Sequence, residues 1–232
     1  MTHPPRTTLL LTRHGETVWH EENRYAGVSD IDLTPRGAQQ AEDLGAWAAD
    51  AALDAIVTSP LARARRTAAP AVLATGLEAR VEPDLAELGF GLAEGRTFAE
   101  VRAAHPERCA AFLRDPAAHP LPGGEDPGAG AARGAAVLLR QAERHPGGRV
   151  LVVAHSTLLR LVLCRLLSIP PSEYRRVFPL MLNCAVTELR VSGGQVSLMS
   201  YNVPTARAPI GGSTPEQGRR RALGRSRSLY ES

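Results

Sequence analysis

The sequence predicts an α/β domain with parallel strands at its centre, and two segments are the basis of that prediction. Residues 149–154 are apolar after the first position, which is typical of a strand buried on both faces of a parallel sheet. The leucines at 9–11 predict a second buried strand. A histidine follows each strand, His14 in the first case and His155 in the second. Because open α/β sheets bind ligands beyond the carboxyl ends of their strands, we expect both histidines at a functional edge.

Length and composition fit one globular domain. The chain has 232 residues, which are enough for one sizeable α/β domain but short for two. Its hydrophobic fraction of 44% is ordinary for a globular protein. No apolar run approaches the roughly 20 residues of a membrane span, and the first residues lack the pattern of a secretory signal. The three cysteines are odd in number and show no metal-ligand spacing. We therefore expect a cytoplasmic protein that has no membrane partner.

The positive charge of the chain is concentrated at its end. The formal net charge is +3, and residues 205–232, with six arginines against two acids, contribute +4. The preceding residues therefore carry about −1, which argues against a nucleic-acid partner. Composition also predicts the boundaries: residues 1–203 form the domain, and residues 204–232, rich in Arg, Gly, Pro and Ser, form a tail that we expect to be disordered.

Capping and turn signals divide the first half of the chain. Thr34 and Pro35 are typical of a helix N-cap and first helical residue. Ser59 and Pro60 predict the same arrangement directly after a strand, with Gly76 as the C-terminal stop. The elements predicted up to residue 82 are a strand at 9–11, a loop at 18–33, a helix from 35, a strand at 53–58, a helix at 60–75 and a short strand at 78–82.

The second half shows similar signals. Thr97 and Glu100 have the spacing of a capping box, and the Gly193–Gly194 pair predicts a hairpin turn. The elements predicted after residue 82 are a loop at 84–95, helices at 97–104 and 107–114, a loop at 115–130, a helix at 131–144, a strand at 149–154, a helix at 158–167, a helical turn at 172–177 and strands at 183–191 and 195–201.

The first candidate site follows the first strand. Arg13 places a permanent cation beside His14, and Gly15 allows a close approach of the backbone. If Arg13 binds an oxyanion, His14 is placed to attack it. Taken alone, the same three residues fit a surface Arg–His pair equally well, so the other segments decide between the two interpretations.

Two later segments supply charged candidates. Arg63 falls in the first turn of the second predicted helix, where the dipole favours acids, so we expect an anionic group nearby. The loop at 84–95 contains Glu87, a candidate acid, and Glu94, which we expect to be structural. Apolar neighbours would raise the pKa of Glu87, whereas Arg13 and Arg63 would lower it, and the sequence leaves that balance open.

Four segments resemble, in the same order, the motifs of the histidine phosphatase superfamily, the phosphoglycerate-mutase-like enzymes. Residues 11–17, Leu-Thr-Arg-His-Gly-Glu-Thr, are similar to the signature of that family. Residues 59–68, 85–95 and 153–160 are similar to its patterns Ser-Pro-Leu-x-Arg-Ala-x-x-Thr-Ala, Leu-x-Glu-x-x-Phe-Gly-x-x-Glu-Gly and Val-x-His-Gly-x-x-x-Arg. The resemblance extends from about residue 9 to residue 201.

This resemblance implies a three-layer α/β/α sandwich with a mostly parallel six-stranded sheet. It implies that His14 takes the phosphoryl group as phosphohistidine and that Arg13, Arg63 and His155 bind the phosphoryl oxygens. Glu87 would protonate the leaving oxygen and then activate water. The implied partner is a small phosphomonoester, and neither a metal nor another cofactor is expected, because arginine supplies the positive charge.

The chain departs from the family pattern at three positions. His20 stands where the family has Asn, Ser156 where it has Gly, and Asp126 where it has the Ser of a Pro-x-Gly-Glu-Ser segment. Histidine can also donate a hydrogen bond, so we expect His20 to bind phosphate. We expect Ser156 to cap the following helix and to add a hydroxyl donor. Thr17 and Arg24 complete the expected contacts with phosphate or substrate.

Three functions are compatible with this set of residues. The segment at 94–150 is compact, whereas the cofactor-dependent phosphoglycerate mutases of the family carry a longer segment that excludes water. A more open site favours hydrolysis, so the sequence predicts a phosphatase. The alternatives are a phosphoglycerate mutase and a non-catalytic domain that binds a phosphorylated ligand. The oligomeric state stays open, a homodimer included.

Overall fold

A six-stranded sheet runs through the computed structural model, which describes residues 5–206. The strands are β1 (Thr7–Arg13), β2 (Ala55–Thr58), β3 (Ala79–Val81), β4 (Arg149–Ala154), β5 (Val186–Ser192) and β6 (Gln195–Val203). Their order across the sheet is β3-β2-β4-β1-β5-β6. The pairs among β1 to β4 are parallel, and β5 is antiparallel to both of its neighbours. The predicted mostly parallel six-stranded sheet is thus confirmed.

Helices connect the strands and cover the sheet. They are α1 (Pro35–Ala49), α2 (Ala62–Thr75), α3 (Phe98–Ala104), α4 (Pro106–Arg114), α5 (Pro127–Arg144), α6 (Ser156–Leu166) and α7 (Tyr174–Val177). Short 3₁₀ turns lie at Pro83–Leu85, Gly91–Ala93 and Pro171–Glu173. The expected capping box opens α3, and Thr34 caps α1 as predicted.

The core consists of two layers, one on each face of the sheet. Along β4, Val150 and Val152 pack in a cluster with residues of α5 and α6, whereas Leu151 and Val153 pack with residues of α1 and α2. This alternation follows from the two-residue period of a strand. Each fully buried Val or Leu contributes about 1.5–3 kcal/mol, so both faces stabilise the sheet. The two helical layers confirm the three-layer α/β/α architecture.

The pairing of β1 with β4 determines where the reactive side chains lie. Arg13 is directly opposite Ala154 in this parallel register, so the residues that follow, His14 and His155, leave the sheet side by side. The amide of His14 donates to the carbonyl of Ala154 at 3.0 Å, which continues the ladder one residue further. The two histidines therefore share one carboxyl edge of the sheet.

Several predicted element boundaries differ from the observed ones, among them the starts of α5, α2 and β5. Helix α5 begins at Pro127, inside the predicted loop at 115–130, because Asp126 accepts a hydrogen bond from the amide of Ala129 at 2.7 Å and caps the helix there. Helix α2 begins at Ala62, with Leu61 as its N-cap, and so does not start at Pro60. Strand β5 begins at 186 and not at 183, because Asn183 forms an isolated parallel bridge to Arg13 and Cys184, with a φ of 58°, interrupts the extended backbone.

The described residues end shortly after β6. The predicted tail at 204–232 therefore lies outside them from residue 207 onwards, and the boundary at 203 stays a prediction. Between residues 5 and 206, no helix is both long enough and apolar enough to cross a bilayer.

Candidate active site

Two buried histidines form the centre of the site. The ring centroids of His14 and His155 are 5.2 Å apart, and the two residues are 5% and 0% exposed. Both histidines therefore lie together at the edge of the sheet, as the sequence predicted. Because both follow strands of the central sheet, their positions depend on rigid elements.

The backbone fixes the tautomer of His14. Its Nδ1 lies 2.7 Å from the carbonyl oxygen of Gly15, which can only accept, so Nδ1 carries the proton and Nε2 keeps a lone pair. Burial lowers the pKa of His14 well below its usual value, and the neighbouring His155, Arg13 and Arg63 lower it further. His14 is therefore a neutral imidazole whose Nε2 can act as a nucleophile.

Gly15 anchors the turn that carries this histidine. Its amide donates to the hydroxyl of Thr67 at 2.9 Å, and that hydroxyl donates to the carbonyl of Arg63 at 2.7 Å. A Cβ at position 15 would lie 2.5 Å from the carbonyl oxygen of Gly37, at the start of α1. The backbone that comes close to Gly15, as expected from the sequence, is therefore that of α1.

Arg13 lies at the end of β1 and is held by two groups. Its guanidinium donates to the carbonyl of Met181 at 3.0 Å, and the other terminal nitrogen lies 2.6 Å from Nε2 of His20. Burial lowers the pKa of Arg13 to about 10, with Glu87 acting in the opposite direction. Arg13 therefore stays a cation at neutral pH.

Arg63 is fully buried and binds three backbone carbonyls. Its terminal nitrogens donate to the oxygens of Ser29 at 2.7 Å, Gly27 at 2.8 Å and Ala26 at 3.1 Å. Glu94 accepts from the amides of Gly27 and Ser29, so it supports the same loop and has the structural role expected of it. Burial lowers the pKa of Arg63, and nearby carboxylates oppose that shift.

The anionic neighbour expected at the start of α2 is present. Asp30 accepts a hydrogen bond from the amide of Ala62 at 2.7 Å. That amide is consequently engaged by a carboxylate of the protein itself. Ser59 has a different role from the predicted cap, because its hydroxyl lies 2.7 Å from Nε2 of His155.

Three buried nitrogens in this region have no hydrogen-bond partner among the described residues. They are Nε of Arg13, Nε of Arg63 and Nδ1 of His155. Buried polar groups in proteins are paired in the great majority of cases, so such a cluster needs a physical explanation. Burial lowers the pKa of His155 well below its usual value, which leaves it neutral with one N–H to donate. An anion with several oxygens could accept from all three groups.

Glu87 lies against the N-terminus of α6. One carboxyl oxygen, Oε1, accepts from the amides of Leu88 at 3.0 Å and Leu158 at 2.9 Å, and Oε2 accepts from the amide of Thr157 at 3.0 Å. These bonds and Arg63 favour the charged form, but desolvation is the largest effect and raises the pKa of Glu87. The balance that the sequence left open is therefore decided by burial.

The loop after His14 holds His20 and Thr17 together. Nδ1 of His20 accepts from the amide of Thr17 at 3.0 Å and lies 2.8 Å from its hydroxyl, while Nε2 faces the guanidinium of Arg13. Burial and Arg13 lower the pKa of His20 to about 3. A neutral imidazole has a single acceptor nitrogen, but both ring nitrogens of His20 face a donor, the amide of Thr17 and the guanidinium of Arg13. One of these two donors is therefore left without an acceptor. Turning Arg13 towards an anion would relieve that excess.

The other expected contact residues have roles visible in the structure. Arg24 pairs with Glu22 and Glu100 and donates to the carbonyl of Gly95 at 2.8 Å, so it connects the 20s loop to the start of α3. Ser156 is the first residue of α6, whereas His155 occupies the N-cap position that we expected Ser156 to take. The substrate contacts of both residues stay predictions.

Sequence reasoning missed two groups beside the histidines. Asn183 donates from its side chain to the carbonyl of His14 at 2.7 Å and lies 3.4 Å from His20. Ser59 was noticed as a helix cap and not as a partner of His155. The first contact joins residues 169 positions apart and the second joins residues 96 apart, so no local pattern indicates either.

Comparison with known proteins agrees with this geometry. The model of the histidine phosphatase superfamily (branch 1) matches residues 9–204, and the chain belongs to that superfamily. The predicted class, an enzyme of the histidine phosphatase type, is thereby confirmed.

Individual relatives differ in the reactions for which they are named. Phosphoserine phosphatase 1 of Hydrogenobacter thermophilus is 32% identical over 166 residues, which cover 72% of this chain and 79% of the relative. The probable phosphoglycerate mutase GpmB of Salmonella choleraesuis is 30% identical over 198 residues, covering 85% and 91%. The mycobacterial glucosyl-3-phosphoglycerate phosphatase Rv2419c superposes with a TM-score of 0.78 at 27% identity, over 85% of this chain and 99% of that one.

Proposed function

We propose that this protein hydrolyses a small phosphomonoester through a phosphohistidine formed on His14. The observation that carries the proposal is the cluster of three buried donors on Arg13, Arg63 and His155, which have no partner within residues 5–206 and lie around a neutral imidazole. A phosphoryl group offers three equatorial oxygens, which matches this number of donors.

In the first step, the lone pair on Nε2 of His14 attacks phosphorus in line with the leaving oxygen. The bond from phosphorus to that oxygen breaks, and the oxygen takes a proton from Glu87. Arg13 and Arg63 offset the charge on the equatorial oxygens, and His155 donates its remaining N–H. For that N–H to lie on Nδ1, the hydroxyl of Ser59 must donate to Nε2 of His155.

The contacts of Glu87 indicate where its proton resides. Oε1 already accepts two amide hydrogens, whereas Oε2 accepts one and keeps a lone pair for the acidic proton. In the second step, the Glu87 carboxylate removes a proton from water as the water oxygen attacks phosphorus. The bond from phosphorus to Nε2 breaks, which releases inorganic phosphate and restores neutral His14 and protonated Glu87.

Hydrolysis is favoured over transfer by the compact segment at 94–150, whose two short helices and one longer helix leave little chain for enclosing a substrate. Phosphoglycerate mutase activity is the second candidate, because the relative GpmB is named a probable mutase. The names of the relatives suggest phosphorylated amino acids and phosphoglycerate derivatives as the first substrates to test.

Location and assembly belong to the same proposal. We place the enzyme in the cytoplasm, because its three cysteines are all buried and unbridged. The mass in solution decides between a monomer and a homodimer.

The test is phosphate release from phosphoserine, phosphoglycerates, sugar phosphates and an aryl phosphate, with EDTA present to examine metal independence. Wild type is compared with His14→Ala and with His145→Ala, which alters a half-buried histidine at the end of α5, before β4 and thus at the opposite end of that strand from His155. We expect release by wild type and His145→Ala and none by His14→Ala. Interconversion of 3- and 2-phosphoglycerate without release would establish the mutase. Tight phosphate binding with no turnover would indicate a binding domain.

A further inference from the structure

We propose that Arg133, together with Glu125, is a positioning residue that holds Glu87 in its catalytic place. Arg133 lies in the second turn of α5 and belongs to none of the sequence motifs that indicated the site. The inference rests on the proposed function, because it assumes that Glu87 is the general acid.

Arg133 binds the backbone on the N-terminal side of Glu87. One terminal nitrogen donates to the carbonyl oxygens of Asp84 and Ala86, both at 2.7 Å. The other lies 3.4 Å from the carbonyl oxygen of Glu87 itself, which is a weaker contact. A single guanidinium thus fixes three carbonyls of the short segment that carries the acid.

Glu125 binds the backbone on the C-terminal side. Its amide donates to the carbonyl of Gly89 at 2.8 Å, and its carboxylate lies 3.4 Å from the amide of Gly89. Arg133 and Glu125 are themselves joined by two parallel hydrogen bonds of 2.8 and 2.9 Å. The pair therefore clamps residues 84–89 on both sides of Glu87.

This segment needs external support. It lies between the 3₁₀ turns Pro83–Leu85 and Gly91–Ala93, and residues 86–90 form neither helix nor strand. Its backbone groups are thus available to side-chain donors and acceptors. Arginine suits the task because its planar fork can serve the Glu125 carboxylate and the carbonyls simultaneously, which a lysine ammonium cannot do.

The clamp has a specific consequence for the chemistry. With the backbone at 84–89 fixed, the Glu87 carboxyl stays against the amides of Thr157 and Leu158. Without the clamp, the carboxyl can move away from the leaving oxygen while His14 and the arginines stay in place. The rate of phosphohistidine formation should therefore fall strongly for a substrate whose leaving oxygen needs a proton and little for one whose leaving group departs as an anion.

The experiment measures kcat/KM for an alkyl phosphate and for 4-nitrophenyl phosphate on the same enzyme preparation, because kcat/KM reports formation of the phosphohistidine and excludes its hydrolysis, in which Glu87 serves both substrates alike. The ratio of the two values does not depend on the fraction of folded protein, so reduced stability of a variant leaves it unchanged. The variants are Arg133→Lys, Glu87→Gln and, as a matched control, Arg144→Lys, which alters an arginine of the same helix that pairs with Glu82.

We expect Arg133→Lys to lower the alkyl-to-aryl ratio about tenfold, part of the 10²–10⁴-fold that general acid catalysis supplies. Glu87→Gln should lower it further, and Arg144→Lys should leave it at the wild-type value. An unchanged ratio in Arg133→Lys, with a reduced ratio in Glu87→Gln, overturns the positioning role alone. An unchanged ratio in Glu87→Gln overturns both this role and the proposed general acid.

Discussion

At the scale of single residues, burial sets the charge of each group in the site. His14 and His155 stay neutral because desolvation and the neighbouring arginines both oppose protonation. Arg13 is also buried, but its pKa of about 10 keeps it positive. The site consequently combines a neutral imidazole with fixed positive charge, which is the combination that attack on a phosphate dianion requires.

The raised pKa of Glu87 predicts how activity depends on pH. The acid form persists above the usual range of a carboxyl, and it is lost as pH rises through the raised pKa. We expect kcat/KM for an alkyl phosphate to decrease as pH rises through this pKa, since the leaving oxygen loses its proton donor. This decrease is the basic limb of the pH–rate profile. Glu87→Gln should be slow and should lack the limb, as measured by pH–rate profiles. The same limb in the variant would mean that another group is the acid.

At the scale of elements, the ends of strands and the starts of helices place the functional groups. His14 and His155 follow adjacent parallel strands, and the first amides of α6 bind Glu87. The sequence indicates the strands clearly, because a buried parallel strand is an unbroken apolar run. Helix starts are harder to predict, since Ser59 was able to bind His155 across the sheet edge instead of capping α2.

The cap of α5 gives a test at this scale. Asp126 accepts from the amide of Ala129, so Asp126→Ala should lower the free energy of unfolding by about 1 kcal/mol. Asp126→Ser should retain most of that stability, because serine is also a good N-cap. Urea unfolding measures both variants. Equal stability of wild type and Asp126→Ala would mean that the observed cap contributes nothing.

At the scale of the whole molecule, the family motifs predicted the architecture and the central site residues. The clamp of Arg133 on the 84–89 segment and the contact of Asn183 with His14 were not predicted. Both depend on which distant segments the fold brings together, and neither has a characteristic spacing along the chain. Sequence therefore indicated the groups proposed to react more completely than the groups that hold them in place.

Global stability should fall in mild acid because the buried histidines resist protonation. The folded pKa values of His14 and His155 lie well below 6.5, so below that pH the unfolded chain binds protons that the folded chain does not. Their stabilisation is present above pH 6.5 and is lost as pH falls. Two such groups cost about 2–3 kcal/mol between pH 7.5 and 5.5, and His20, whose pKa is lowered to about 3, adds about 1.4 kcal/mol.

The measurement is urea unfolding at the two pH values for wild type and for His155→Asn, which removes one of these histidines. We expect the pH-dependent loss to be smaller in the variant by about 1.4 kcal/mol. The raised pKa of Glu87 acts in the opposite direction, but it is common to both proteins and cancels in their difference. An identical pH dependence of the two proteins would contradict a neutral buried His155.

The central claim is that His14 carries the phosphoryl group, and rapid-quench trapping tests it most directly. Enzyme is mixed with a ³²P-labelled phosphomonoester, quenched in base and examined for label that is stable in base and labile in acid. The account predicts that this label appears in wild type within one turnover, maps to the peptide containing His14, and is absent from His14→Ala. Phosphate release by wild type with no such label at any time, or label on another residue, would contradict it.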